Sequence, residues 1–203
     1  MSDSTGPRPY HHGNLRTALL DMAEREVRER GADQLSLRDL ARSAGVSHAA
    51  PRRHFPDRQH LLDALAEVGF DRLGRALRDA LAEPEAEFPA RVRSVVSAYV
   101  RFARDNAALL DLMHSSKHRP GATSIARAAE GAYEPVFELI ETGQEQGALE
   151  RGDPGEIGIV LFATVLGITA MVNGGMIGPE SLDSIVETAV SQFLRGARPA
   201  LQP

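Results

Sequence analysis

The chain has 203 residues, 42% apolar and 25% charged, a composition that fits one or two packed globular units and is too apolar for disorder. It has no cysteine, which excludes disulfide scaffolds, thiolate metal sites and cysteine nucleophiles. Its net charge of −5 argues against a polycation throughout, and residues 1–14 lack an apolar stretch of signal-peptide length, so a cytoplasmic location is expected.

Nearly every periodic segment repeats at 3.6 residues. In the first, Leu15, Leu19, Met22, Ala23 and Val27 share one face, Arg16, Glu24, Arg28 and Glu29 take the other, and Gly31 ends the helix. A short second helix runs over 37–44 with Ser36 as N-cap. Gly45 breaks it, and Ser47 is expected to cap a third helix ending near His54 and Phe55. Pro51 is read as lying in the first turn of that helix, where a missing N–H costs little. The Phe55-Pro56-Asp57 stop opens a fourth helix, 58 to about 82, with Leu61, Leu65, Leu73, Leu77 and Leu81 in line.

Beyond the 84–89 connection, Val92, Val95, Val96, Tyr99, Phe102 and Ala103 stripe a fifth helix. A short sixth, about 107–114, leads into an expected loop over 115–123. A seventh covers about 124–146, with Pro135 predicted to kink it. Asp153-Pro154 starts an apolar eighth, and Leu182, Ile185, Val186, Ala189, Phe193 and Leu194 stripe a ninth. No strand-like alternation extends beyond a few residues. The expected fold is all-α with about nine helices, divided into a helix-turn-helix domain over 10–56 and a helical bundle over 57–203.

Charge divides along the same line. Residues 1–60 hold 10 Arg against 8 Asp and Glu, a balance of +2, whereas residues 61–203 hold 13 Lys and Arg against 20 Asp and Glu, a balance of −7. A basic module on an acidic body is the pattern expected when one end meets a polyanion. Residues 37–56, LRDLARSAGVSHAAPRRHFP, have the spacing of a helix-turn-helix. Ala41 is the small residue where the two helices cross, and Gly45, four positions later, tolerates the turn. Leu37, Leu40, Ala44, Val46 and Phe55 supply the packing. An ordinary αα-hairpin inside a bundle shares this spacing; the local excess of +3 over residues 34–60 favours the nucleic-acid reading.

The segments YHHGNLRTALLDMAEREVRERG, LSLRDLARSAGVS and HAAPRRHFPDRQHLLDAL resemble the TetR family of bacterial transcriptional regulators. The resemblance implies an N-terminal three-helix DNA-binding domain and a larger domain that dimerises and holds a small-molecule effector. It further implies a repressor that binds a near-palindromic double-stranded operator as a homodimer and releases it on effector binding. Carried over by position, Ser36 and Arg38 open a helix that meets phosphates, and Ser47, His48 and Ala49 begin the recognition helix. His54 and Arg58 match phosphate contacts, with Arg53 beside them. Arg52 stands where the family usually has tyrosine, and either a phosphate or a guanine edge is open to it. Residues 161–171 are similar to a subgroup with a tryptophan and a His-Gly pair in its eighth helix; here Phe162, Leu166 and Gly167 hold those places, which implies a more apolar effector. Phe102, Leu112, Met113, Tyr133, Phe137, Phe162, Leu166 and Met171 are the candidate pocket lining between the fifth and eighth helices.

Residues 157–179 contain no charge, long enough to raise a membrane span. Five glycines, Asn173 and the acidic flanks Glu156 and Glu180 favour instead a helix enclosed by protein, a second subunit included. His114 and His118 have metal-ligand spacing, but the expected loop after His114 and the lack of a nearby carboxylate leave no metal or cofactor expected. His11 and His12 fit an arm along DNA or a solvated tail, and Gly174-Gly175 reads as a helix terminator. A small helical enzyme or a helix-turn-helix adaptor that binds protein are the other classes; no paired catalytic residues favour the first.

Overall fold

The structure, a computed structural model, describes residues 15–83 and 86–197, the side chain of Pro179 excepted. The expected domain start at residue 10 and the His11-His12 arm lie outside the described residues. Eight α-helices follow in order: α1 (Leu15–Arg30), α2 (Leu37–Ser43), α3 (Arg58–Ala80), α4 (Phe88–Asp105), α5 (Ala107–Lys117), α6 (Thr123–Glu145), α7 (Pro154–Asn173) and α8 (Leu182–Gly196). Short 3₁₀ turns lie at Ala32–Gln34, Pro51–Arg53 and Pro179–Ser181, and no strand occurs among the described residues.

The helical stripes read from the sequence become the core. On α1, Leu15, Leu19, Ala23 and Val27 are buried; on α3, Leu61, Leu65, Leu73 and Leu77; on α4, Val92, Val95, Val96, Tyr99, Phe102 and Ala103. The long helix α3 packs against α1, α4, α5 and α6, and α1 also touches α5. α7 and α8 pair with each other, backed by α4 and α6. Where α3 meets α5 and α6 the helices come close because glycine faces the neighbour: a Cβ on Gly69 would lie 2.6 Å from Met113 Sδ, and one on Gly74 would lie 3.0 Å from Ala132 Cα.

Two local expectations change. The third helix is absent as an α-helix: residues 48–50 form a turn and Pro51–Arg53 a 3₁₀ turn. Pro51 is the cause. Counted from Ser47 as cap, position 51 supplies the first N–H of the i→i−4 ladder, and proline has none. The segment tightens to i→i−3 bonds instead, with Ala50 N–H donating to Ser47 O at 3.0 Å and His54 N–H to Pro51 O at 3.0 Å. Ser47 makes no side-chain cap there; the residue before the turn is Ala50.

The second change is in α5, which continues through Ser115 and Ser116 to Lys117, with Ser115 Oγ donating back to Asp111 O at 2.8 Å within the helix. Pro135 lies within α6. Within this chain α7 is buried only along Leu161, Val165, Ile168 and Thr169, and Ile159, Val160 and Met171 are exposed. It is long and apolar enough to cross a membrane by length and composition. The Gly174-Gly175 terminator forms as expected: Gly175 has φ 71°, and Met176 N–H reaches back to Met171 O at 2.9 Å.

Candidate nucleic-acid interface and candidate pocket

The helix-turn-helix is built from two backbone devices. Ser36 Oγ accepts from Asp39 N–H and caps α2, leaving its own O–H free to donate. Gly45, at φ 67°, ends α2: its N–H donates to Arg42 O at 3.2 Å and Val46 N–H to Ala41 O at 3.0 Å. That paired reach-back is the Schellman arrangement, which needs a left-handed residue at this one place. Ala41 is fully buried at the crossing, and Leu35, Leu40, Ala44 and Phe55 form the small core beneath the turn. Arg16 of α1 lies over the Phe55 ring at 5.4 Å from its centroid.

On that base the outward residues are Arg38, Ser47, His48, Ala49, Arg52, Arg53 and His54, all exposed, with Ser36 half-buried at the edge. Arg42 pairs with Asp39 at 2.7 Å. Arg38, Arg52 and Arg53 form no ion pair among the described residues. Asp57 forms no pair with Arg52; its Oδ1 caps α3 through His60 N–H and also meets His60 Nδ1 at 2.9 Å. Those contacts with His60 hold the Asp57 carboxyl below the usual carboxylate range.

Arg58 departs from the expected phosphate contact. Its guanidinium turns inward and donates to Leu35 O at 3.1 Å and to Ala32 O, with Asp33 at 3.9 Å. It clasps the loop before α2 onto the first turn of α3. Five residues along α3, Asp63 accepts from Gln59 and pairs with Arg119 of the α5–α6 connection. Higher still, Arg72 donates to both oxygens of Glu24 at 2.8 and 2.7 Å and ties α1 to α3. None of these three clasps was legible in the sequence, since each joins residues more than twenty positions apart.

The expected pocket lining does not converge. Phe102, Leu112 and Met113 are buried in the packed core, with Met113 against Gly69. Phe137 is 44% exposed and Met171 39% exposed, each on an outward helical face rather than between helices. Leu166 is half-buried against the core. Only Tyr133 and Phe162 reach a common space, a cavity of about 50 Å³ walled also by Tyr99, Leu77, Val95, Val96, Val136, Leu161 and Val165. The sequence did carry one signal for Tyr99, a phenol on an otherwise apolar stripe, whose hydroxyl needs a partner when buried.

A much larger groove, about 850 Å³, runs between α7 and α8. Its apolar lining includes Ile168, Ile185 and Phe193 with the exposed Val160 at the rim, and its charged lining is Glu150, Arg151, Asp153 and Glu156.

A family model described as bacterial regulatory proteins, tetR family, matches residues 19–65, and one described as Tetracyclin repressor-like, C-terminal domain, matches residues 92–193. Among curated proteins, nucleoid occlusion factor SlmA of Aliivibrio fischeri is 29% identical over 114 residues, 54% of each chain. The HTH-type transcriptional regulator Rv1255c of Mycobacterium tuberculosis is 32% identical over 91 residues, 45% of each. The matches thus span about half the length of these relatives. A solved structure of a protein of unknown function from Rhodococcus sp. RHA1 is 44% identical with a TM-score of 0.88, covering 95% of this chain and 100% of that one. A second Rhodococcus RHA1 structure, a bacterial regulatory protein in the tetR family, shares the fold at 20% identity with a TM-score of 0.74, covering 92% of this chain and 98% of that one.

Proposed function

We propose that this chain, which belongs to the TetR family of bacterial transcriptional regulators, is a cytoplasmic, effector-responsive repressor that binds a near-palindromic operator as a homodimer. The observation that carries the reading is the set of unpaired cations. Arg38, Arg52 and Arg53, with His48 and His54, are exposed on a helix-turn-helix in a chain of net charge −5. Cations left without carboxylate partners on an acidic protein are placed for phosphates. Ser47, His48 and Ala49 lead the segment that enters the major groove, and Ser36 donates to the backbone beside it. Residues 10–56 form the DNA-binding domain in this reading and 57–203 the regulatory domain.

The dimer joins α7 and α8 to their copies. Ile159, Val160 and Met171 are exposed on an uncharged helix, and the groove beside it is lined in part by apolar side chains; a second copy covers both. Two-fold symmetry then sets the recognition segments about 34–36 Å apart, or a multiple of the helical turn. The effector binds in the bundle of α4, α6 and α7 and favours the state that does not fit DNA. Its leverage runs along α3, the first helix of the regulatory domain, which is tied to the α5–α6 connection by Arg119–Asp63 and to the DNA-binding domain by Arg58. An effector with equal affinity for both states shifts nothing.

A gel shift on the DNA upstream of the protein's own reading frame, competed with scrambled duplex, tests the proposal. Retention of the specific complex under a scrambled excess is expected. Equal competition by both duplexes, or no complex at low salt, rejects it in favour of a protein-binding adaptor or an enzyme.

A further inference from the structure

Tyr99 of α4 and Tyr133 of α6 both line the small cavity. Phe162 of α7 packs edge-on against both, with ring centroids 5.8 and 5.4 Å away, and Phe70 of α3 meets Tyr133 at 6.5 Å. Tyr99 is only 4% exposed. Both phenol oxygens are buried, and neither makes a well-formed hydrogen bond among the described protein groups, although each hydroxyl lies within the other's electrostatic reach. The remaining walls are aliphatic, and no charged side chain lines the space. Burial pushes both phenols up, Tyr133 to about 12, so each stays a neutral O–H at any physiological pH.

A buried hydroxyl without a well-formed hydrogen bond is costly; each phenol can both donate and accept, and the space the two line offers no other polar side chain. We propose that Tyr99 and Tyr133 are the recognition point for an uncharged, mainly aliphatic ligand that carries one oxygen acceptor, a carbonyl or a hydroxyl. This rests on the effector reading above and names its chemistry. A carboxylate is excluded because its charge would be buried with no counter-charge on any wall. A plain alkane leaves both phenols unmet.

The cavity of about 50 Å³ holds the polar end alone, since one water already occupies about 30 Å³ in the liquid. The aliphatic part extends along the α6–α7 seam. There Gly158 lines the cavity, and Ile140 Cδ1 lies 2.8 Å from where a Cβ on Gly158 would be. Rotation of the Ile140 side chain lengthens the cavity between the two helices. Because α6 lies against α3, a ligand that parts α6 from α7 acts on the helix that carries the DNA-binding domain.

The test uses the full chain with 2-nonanone, 1-nonanol and nonanoate as probes, read by thermal shift without DNA and by anisotropy of a labelled upstream duplex. The ketone and the alcohol raise Tm and release DNA, and nonanoate at equal concentration does neither. Tyr99→Phe and Tyr133→Phe each weaken ketone binding about 3- to 10-fold, the loss of one hydrogen bond, without lowering the Tm of the free protein. Absence of a Tm shift with any probe overturns the proposal, as does equal ketone binding by wild type and both variants, or nonanoate binding as tightly as the ketone. A lower Tm in the ligand-free Phe variants also overturns it, because the phenols then satisfy each other or a structural water. If the ketone raises Tm in the expected pattern while DNA affinity stays constant, the site stands and the effector reading falls. Absence of DNA binding by the free wild type rejects the regulator reading and leaves the thermal readout intact.

Discussion

Arg52 and Arg58 look alike in the sequence, two arginines six positions apart that flank a Phe-Pro stop, and the fold assigns them opposite jobs. Arg52 is exposed and free of carboxylate partners among the described residues; Arg58 is committed to the carbonyls of Ala32 and Leu35. Arg52→Ala is therefore expected to weaken binding to operator and scrambled DNA by a similar factor. It should also lower the magnitude of the salt slope by about 1 per subunit, because one counterion fewer is released. A loss confined to operators with guanine at one position would mean a base contact instead. Arg58→Ala should behave differently. Losing hydrogen bonds from a charged donor costs roughly 1–3 kcal/mol of stability, so its denaturation midpoint falls, while the salt slope of its remaining folded fraction is unchanged. Titrating both variants at several salt concentrations alongside urea denaturation separates the two roles.

Among the elements, the recognition segment is where local chemistry and family pattern disagree. The helix-turn-helix spacing is complete through Gly45, whose left-handed φ the sequence announces. Past Ser47 one residue changes the geometry: proline at position 51 deletes the first ladder bond, and the segment closes as a 3₁₀ turn. Pro51 is also buried, so an apolar replacement is needed to keep the packing. Pro51→Leu restores the N–H toward Ser47 O, and the amides of residues 51–53 should gain protection in hydrogen exchange. Unchanged exchange in a variant of wild-type stability would mean that tertiary packing, not proline, sets the turn.

At the scale of the whole molecule the open question is what covers α7. A helix with Ile159 58% and Val160 60% exposed presents its apolar face to whatever lies outside the chain. Val160→Glu places a charge at the rim of the α7–α8 groove. It should give a folded monomer by light scattering at micromolar concentration and abolish tight operator binding, since half-sites are then engaged singly. A dimer of unchanged mass would locate the interface elsewhere.

The sequence by itself determined the parts whose cause is local. Periodicity placed seven of the eight α-helices to within a few residues, and the short α5 ran three residues past its expected end; Ser36, Gly45 and Gly174-Gly175 marked ends whose hydrogen bonds close within five residues. The basic N-terminal module was legible because charge is countable without coordinates. Only the tertiary structure decided which side chains meet. Periodicity assigns a residue to a face of its own helix but not the rotation of that helix against its neighbours, so Phe137 and Met171 turned outward and Tyr99 joined Tyr133 and Phe162. The Arg58, Asp63–Arg119 and Glu24–Arg72 clasps likewise depend on segments brought together by packing. The tertiary structure also left α7 only partly covered, because burial is a property of the assembled bundle and an apolar stretch is equally compatible with core, interface or membrane.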